Sequence, residues 1–214
     1  MDGGHRTQGE RRSATRRALL GAARECFAER GYSGAAAEEV VRRAGVTRGA
    51  MYHHFGDKLG LFRAVVEEVE REIDGSVQRA VEGAGDEFEK VMAGHHAFLD
   101  ACLEPEVKRI LLLDAPSTLG WEDWHRIEDD HALAQIERGL RSLGGDEAEG
   151  RTFRPLAHLV HGALIEAAMF IAAAEDPRRA RREVGEGLDL LLRGLAGPSV
   201  RGVHEDHERV EGGS

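Results

Sequence analysis

Cysteine, proline and aromatic side chains are all scarce in this chain, and each scarcity removes a class of explanation. Cys26 and Cys102 are its only cysteines. Each falls in an apolar helical pattern, where a free thiol behaves as a small hydrophobe, so a reducing compartment is expected. No signal-peptide pattern is present, and the longest apolar stretch, about Ala163 to Ala174, is interrupted by Glu166. That stretch reads as too short to cross a bilayer, so a cytoplasmic protein with no membrane partner is expected. Among the five prolines, Pro105, Pro155 and Pro177 stand where helices start and Pro116 where one breaks. No strand alternation and no internal repeat can be found. Catalytic signatures are missing too: there is no G-x-S-x-G and no P-loop. Gly83-Ala84-Gly85 and Gly185-Glu186-Gly187 lack the third glycine and the preceding strand of a dinucleotide fingerprint. Neither an enzyme nor a cofactor is expected. Histidine is plentiful at 11 copies, and His158/His161 and His204/His207 are each one helical turn apart. Two ligands do not make a zinc site, and no cysteine pair or carboxylate completes one, so no metal is expected.

What the chain does have is charge, unevenly placed. The formal net charge is −10 over 214 residues. Residues 1–63 nevertheless carry twelve basic against seven acidic side chains, a net +5, which leaves −15 for the rest. A basic head on an acidic body suits contact with phosphate confined to one end.

The stretch Ala35 to Lys58, AAAEEVVRRAGVTRGAMYHHFGDK, organises that head. Ala36 to Ala44 is a short helical pattern with Val40, Val41 and Ala44 on its apolar face. Gly45 stops it as a left-handed residue would, Val46 is a buried hinge, and Thr47 caps a second helix from Arg48 to about His54. Two short helices across a glycine-containing turn form a helix-turn-helix, whose second helix enters the major groove of DNA N-terminus first. The groove-facing candidates are therefore Thr47, Arg48, Gly49, Met51, Tyr52 and His53. Arg48 can fork onto a guanine edge or a phosphate, Gly49 lets the backbone approach closely, and Tyr52 and His53 can donate to phosphate oxygens. Asp57 caps the next helix, with Lys58 in its first turn, where free N–H groups also attract phosphate.

The run from Ala22 to Tyr32, AARECFAERGY, then Ala44 to Gly49, AGVTRG, then Tyr52 to Lys58, YHHFGDK, closely resembles the TetR family of bacterial transcriptional regulators. The resemblance covers roughly fifty contiguous residues. It implies an all-α fold with a three-helix DNA-binding head and a helical ligand-binding and dimerisation body, paired through its last two long helices. At Ser33-Gly34-Ala35-Ala36-Ala37 the chain departs from the family pattern, which places threonines there as helix cap and phosphate donor. Alanine supplies neither, leaving Ser33 as the substitute cap and Ser33 and Ala36 as the DNA-facing candidates at this edge.

Taken in order, residues 1–12 read as a disordered basic arm that can follow the DNA backbone or minor groove, and 13–60 as the helix-turn-helix domain. Residues 61–196 read as the ligand-binding and dimerisation domain, and 197–214 as a disordered tail. Ser13 or Thr15 caps a first helix ending at Gly31, with Leu19, Ala22, Ala23, Cys26 and Phe27 inward and Tyr32 closing the small core. About nine helices are expected in all. Those at 155–174 and 177–196 are apolar on more than one side, which suits a four-helix interface with a second copy. Ala163, Ala167 and Ala168 allow close approach, and Val184, Leu188, Leu191, Leu192 and Leu195 form the last helix's stripe. A small-molecule pocket in the body takes Phe88, Met92, His95, Leu99, Leu113, Trp121, Trp124, Ile127, His161 and Glu166 as candidate lining, although each could equally fill a core. The expected function is a homodimeric, sequence-specific regulator on a palindromic double-stranded DNA operator, released by an unidentified small-molecule effector. The competing expectation is an all-α carrier or enzyme that keeps the helix-turn-helix for structure only.

Overall fold

A computed structural model describes residues 7–144 and 152–195. The chain is all-α there. Its helices are α1 (Gln8–Gly34), α2 (Ala37–Arg43), α3 (Arg48–Phe55), α4 (Lys58–Glu82), α5 (Glu87–Ala101), α6 (Pro105–Val107), α7 (Ala115–Leu119), α8 (Trp121–Gly144), α9 (Arg154–Ala173) and α10 (Pro177–Leu195), with a π-helical stretch, Lys108–Asp114, between α6 and α7. The polar loop after α8, the tail at 197–214 and residues 1–6 of the expected arm lie outside the described residues.

The chain divides into two compact units that are not continuous in sequence: Met1–Arg71 with Glu104–Ile127, and Glu72–Leu103 with Glu128–Ser214. A linear boundary at residue 60 gave the whole of 104–127 to the body. In the first unit Arg24 pairs with Glu106 and Arg63 with Asp123, and Asp114 accepts the Tyr32 backbone N–H at 2.6 Å. These bonds span sixty to eighty residues of chain and cannot be read from local pattern.

Helix α1 starts earlier than the Ser13 or Thr15 cap. Thr7 and Glu10 form a capping box, Glu10 N donating to Thr7 Oγ1 at 3.2 Å and Thr7 N to Glu10 Oε2 at 2.7 Å. Residues 8–12 of the expected arm are therefore helical. The helix bends at Gly31, whose φ of +69° an L side chain avoids and where a Cβ would run into the Arg109 guanidinium. Leu19, Ala23, Cys26 and Phe27 are fully buried beneath it with Met51, Phe62, Val65 and Val66. Phe27 meets the Phe62 ring edge-on at 5.0 Å, and Tyr32 lies 4.9 Å from Phe62, closing the core as expected. Pro116 does not break the helical path. It sits in the first turn of α7, where a proline's missing N–H is tolerated, after the wide π turn has ended.

The second unit packs α5, α9 and α10 around Val91, Leu99, Val160, Leu164, Ile171, Leu188 and Leu192, with Leu133 and Leu140 of α8. Arg181 stitches α10 to α5, donating to Asp100 at 2.8 Å and to the His96 carbonyl at 3.1 Å, while His96 Nε2 meets Asp189 at 2.9 Å. Helix α9 matches the helix expected at 155–174 to within a residue at each end. Its 20 residues are long and apolar enough to cross a membrane by composition, yet half of that window is buried within the protein, as in a core helix. Within the stripe expected for the last helix, Leu188 and Leu192 are buried and Leu191 is exposed.

Candidate nucleic-acid interface

The turn that aims α3 is built from local chemistry. Helix α2 ends at Arg43 with Ala44 as its C-cap, Gly45 takes φ +64°, and Val46 N donates to Val41 O at 3.1 Å. Thr47 then caps α3, its hydroxyl accepting from Ala50 N at 3.2 Å. After the eight residues of α3, Gly56, at φ +80°, stops the helix, and Asp57 caps α4 through Gly60 N at 2.7 Å. Caps at both ends make α3 a short, sharply bounded rod.

One face of that rod is an anchor. Met51 is fully buried, so its place among the groove-facing candidates is corrected: it holds α3 to the core and cannot reach DNA. The opposite face carries Arg48, Gly49, Tyr52 and His53, all exposed. Thr47 is exposed as well. A Cβ built on Gly49 meets nothing closer than Thr47 Oγ1 at 3.9 Å, so the protein's own packing does not demand glycine there. Arg48 donates to Glu38 of α2 at 2.8 Å and to the Tyr52 hydroxyl at 3.1 Å, and lies 5.5 Å from the Tyr52 ring centre. The Tyr52 oxygen first, and then Glu38, hold its pKa above the ordinary arginine value.

Around this face the charges are locked into pairs. Glu39 accepts from Arg42 and Arg43, which pull its carboxyl down to about 2. Arg43 also bridges to Glu29 at 2.8 Å. Lys58 sits 4.3 Å above the Tyr32 ring and is half-buried, and that burial lowers its pKa. At the far end of α3, burial lowers the pKa of His54, helped by the charges of His53, Arg12 and Arg16, and the Arg16 guanidinium lies 5.2 Å from the Phe55 ring centre. Arg12 and Arg16 thus bring α1 charge to the foot of α3.

At the other edge the missing cap is real. Ala36 is the N-cap of α2 with no side-chain hydrogen bond, and Ser33 does not replace it, lying exposed after the bend of α1. Glu38 was not among the sequence candidates. It stands ten residues from Arg48, across the turn, and no periodicity links the two.

The candidate pocket residues divide between the units. Phe88, Met92, His95, Leu99, His161 and Glu166 belong to the second, and Leu113, Trp121, Trp124 and Ile127 to the first. Leu99, His95, His161 and Trp124 are buried, and Met92 packs on the Leu99 core. Phe88 lies under the Arg193 guanidinium at 5.1 Å, and Ile127 is half-buried. Leu113 and Glu166 are exposed on this chain, so neither lines an interior; the Trp121 side chain lies outside the description. His158 is exposed while His161 is buried, so the pair does not converge, and no group of three metal-ligating side chains exists among the described residues.

Comparison with known proteins gives the same picture twice. Residues 19–65 match the family model for bacterial regulatory proteins of the tetR family. Residues 88–195 match that for a Tetracyclin repressor-like C-terminal domain. The chain is 33% identical over 129 residues to the HTH-type transcriptional repressor AcnR of Corynebacterium diphtheriae, spanning 59% of this chain and 65% of that one. It spans only 32% of the repressor of the same name in Corynebacterium glutamicum, at 45% identity over 28% of this chain. An HTH-type transcriptional repressor of Mycobacterium tuberculosis is 30% identical over 78% of this chain and 87% of its own length. A solved TetR-family transcriptional regulator from Pectobacterium atrosepticum superposes with a TM-score of 0.75 at 38% identity, covering 89% of this chain and 97% of that one.

Proposed function

The chain belongs to the TetR family of bacterial regulatory proteins, and from that premise we propose that it is a cytoplasmic, homodimeric repressor of transcription that a small molecule releases from DNA. The carrying observation is the two-faced α3: Met51 is sunk in the core while Arg48, Gly49, Tyr52 and His53 stand in solvent beyond a Thr47 cap. A helix held from behind and bare in front is what a major groove accepts. The relatives named as repressors favour the negative sign of regulation.

A symmetric dimer offers two such helices to half-sites about 34 Å or a multiple apart, so its operator is palindromic. An effector that binds the DNA-incompetent spacing better shifts the population off DNA, and about 100-fold discrimination corresponds to roughly 2.7 kcal/mol of coupling. A gel shift against the gene's own upstream region tests the reading. Arg48→Ala is expected to weaken specific binding by about 1–3 kcal/mol. Tyr52→Ala should weaken it too, while thermal melting stays near wild type, since both side chains are exposed. Two mutants that bind as wild type does would remove α3 from the groove.

A further inference from the structure

The arginine at the head of α3 is not free to choose its direction. Glu38 Oε1 accepts from Arg48 Nη1 at 2.8 Å, and the Tyr52 hydroxyl accepts from Nη2 at 3.1 Å. We propose that Glu38 is a positioning residue for base readout, which fixes the aim of Arg48 and through it a guanine preference in each half-site. The inference rests on the DNA-binding reading above and adds to it a residue of α2 that touches no base.

The argument is one of donors and order. A guanidinium has five N–H groups; two are taken by Glu38 and Tyr52, and three remain for a two-pronged contact with O6 and N7 of guanine. An untethered surface arginine loses rotamer freedom when it binds, whereas a fork held at both ends has already lost it. A phosphate needs no such aim, and a carboxylate beside the contact would oppose it. Glu38 and Arg48 side chains are 65% and 59% exposed, so the negative charge also stands in solvent beside the groove-facing helix, where it weakens every nonspecific complex. Both effects favour the right sequence over the wrong one. The competing outcome is an exposed ion pair that dissolves on contact. Glu38 would then only repel phosphate, and specific and nonspecific affinities would move together.

The test is selection of bound sequences from a randomised duplex pool with the full-length wild type, Arg48→Ala, Glu38→Gln and the double mutant, followed by affinities for the selected operator and for one with the guanine replaced. Arg48→Ala is expected to flatten one guanine position per half-site. Glu38→Gln should cut the preference there by about fivefold or more while tightening nonspecific binding, and should change nothing further in the Arg48→Ala background. Glu38→Asp keeps the charge and shortens the reach, so it should lose the preference without tightening nonspecific binding. A preference unchanged in Glu38→Gln, or reduced equally with and without Arg48, overturns the proposal and leaves the DNA-binding reading standing. If wild type and Arg48→Ala select the same sequences, α3 is not the reading element and both fall.

Discussion

His95 is a histidine the fold keeps from taking a proton. Its Nδ1 donates to the Val91 carbonyl at 2.6 Å, one turn back on α5, and its buried Nε2 has no hydrogen-bond partner. Protonation would put a charge beside an apolar core, so burial drives its pKa from 6.5 to about 4, against the weaker opposing pull of the Val91 carbonyl and Asp189. At neutral pH His95 therefore offers a lone pair and no charge to any effector that reaches it. The same shift fixes a pH dependence of stability. The folded value lies below the unfolded one, so the unfolded chain binds the extra proton. The contribution is whole above pH 6.5 and is lost as pH falls toward 4. Between pH 7.5 and 5 this one group should cost about 2 kcal/mol of unfolding free energy. His95→Phe, similar in size and without a titrating group, is expected to flatten the acid limb by that amount. Urea unfolding of both proteins at the two pH values measures it, and parallel limbs would mean that the ring stays solvated.

At the scale of an element, α2 is the weakest-made piece of the head. It is seven residues long, its N-cap is Ala36, and no side chain receives its first free N–H groups. Its Glu38 and Glu39 near the start and Arg42 and Arg43 near the end suit the helix dipole, which partly compensates. Ala36→Thr is therefore expected to stabilise the protein by about 1 kcal/mol, seen as a higher urea midpoint at unchanged slope. An unchanged midpoint would show that the hydroxyl does not reach the α2 N–H groups. Helix ends of this kind were legible in the sequence where a cap is a matter of three or four neighbours: Thr47 and Asp57 each accept the N–H that their spacing implies. Thr7 and Glu10 carry the same signature, but the polar run that follows them gives no apolar periodicity to mark a helix start. Met51 was legible by counting as well: Arg48, Gly49, Tyr52 and His53 fall within an arc of about 140° around α3, and Met51 projects outside that arc, toward the core. What no count supplies is the π stretch at Lys108–Asp114. Its end is held by Asp114 on the Tyr32 N–H and by Arg109 laid over Gly31, contacts some eighty residues apart. The Glu38–Arg48 pair stayed hidden for the same reason on a smaller scale, since only the turn at Gly45 brings the two together.

At the scale of the whole molecule, an acidic chain leaves large apolar side chains in solvent on its last two helices. Leu159 and Phe170 of α9 are 71% and 56% exposed, and Leu190 and Leu191 of α10 are 73% and 63% exposed. The buried stripe of the same helices, Val160, Leu164, Ile171, Leu188 and Leu192, is already satisfied within the unit, so the outer set needs a different partner. Sequence periodicity shows apolar residues on two sides without saying which side belongs to which partner; burial divides the stripe, with Leu188 and Leu192 inward and Leu191 outward. Covering each outer leucine or phenylalanine contributes about 1–2 kcal/mol, and a two-fold pairing covers every one twice, which favours self-association of α9 and α10. Leu159→Glu with Leu190→Glu should yield a folded monomer by sedimentation, with helical content unchanged because neither side chain touches the core. The monomer keeps an intact α3 but loses simultaneous engagement of two half-sites, so its operator affinity is expected to fall by about 10²–10⁴-fold, while its affinity for a single half-site stays put. A monomer that still bound the full operator tightly would show that one head suffices, and the palindrome would then have no mechanical meaning.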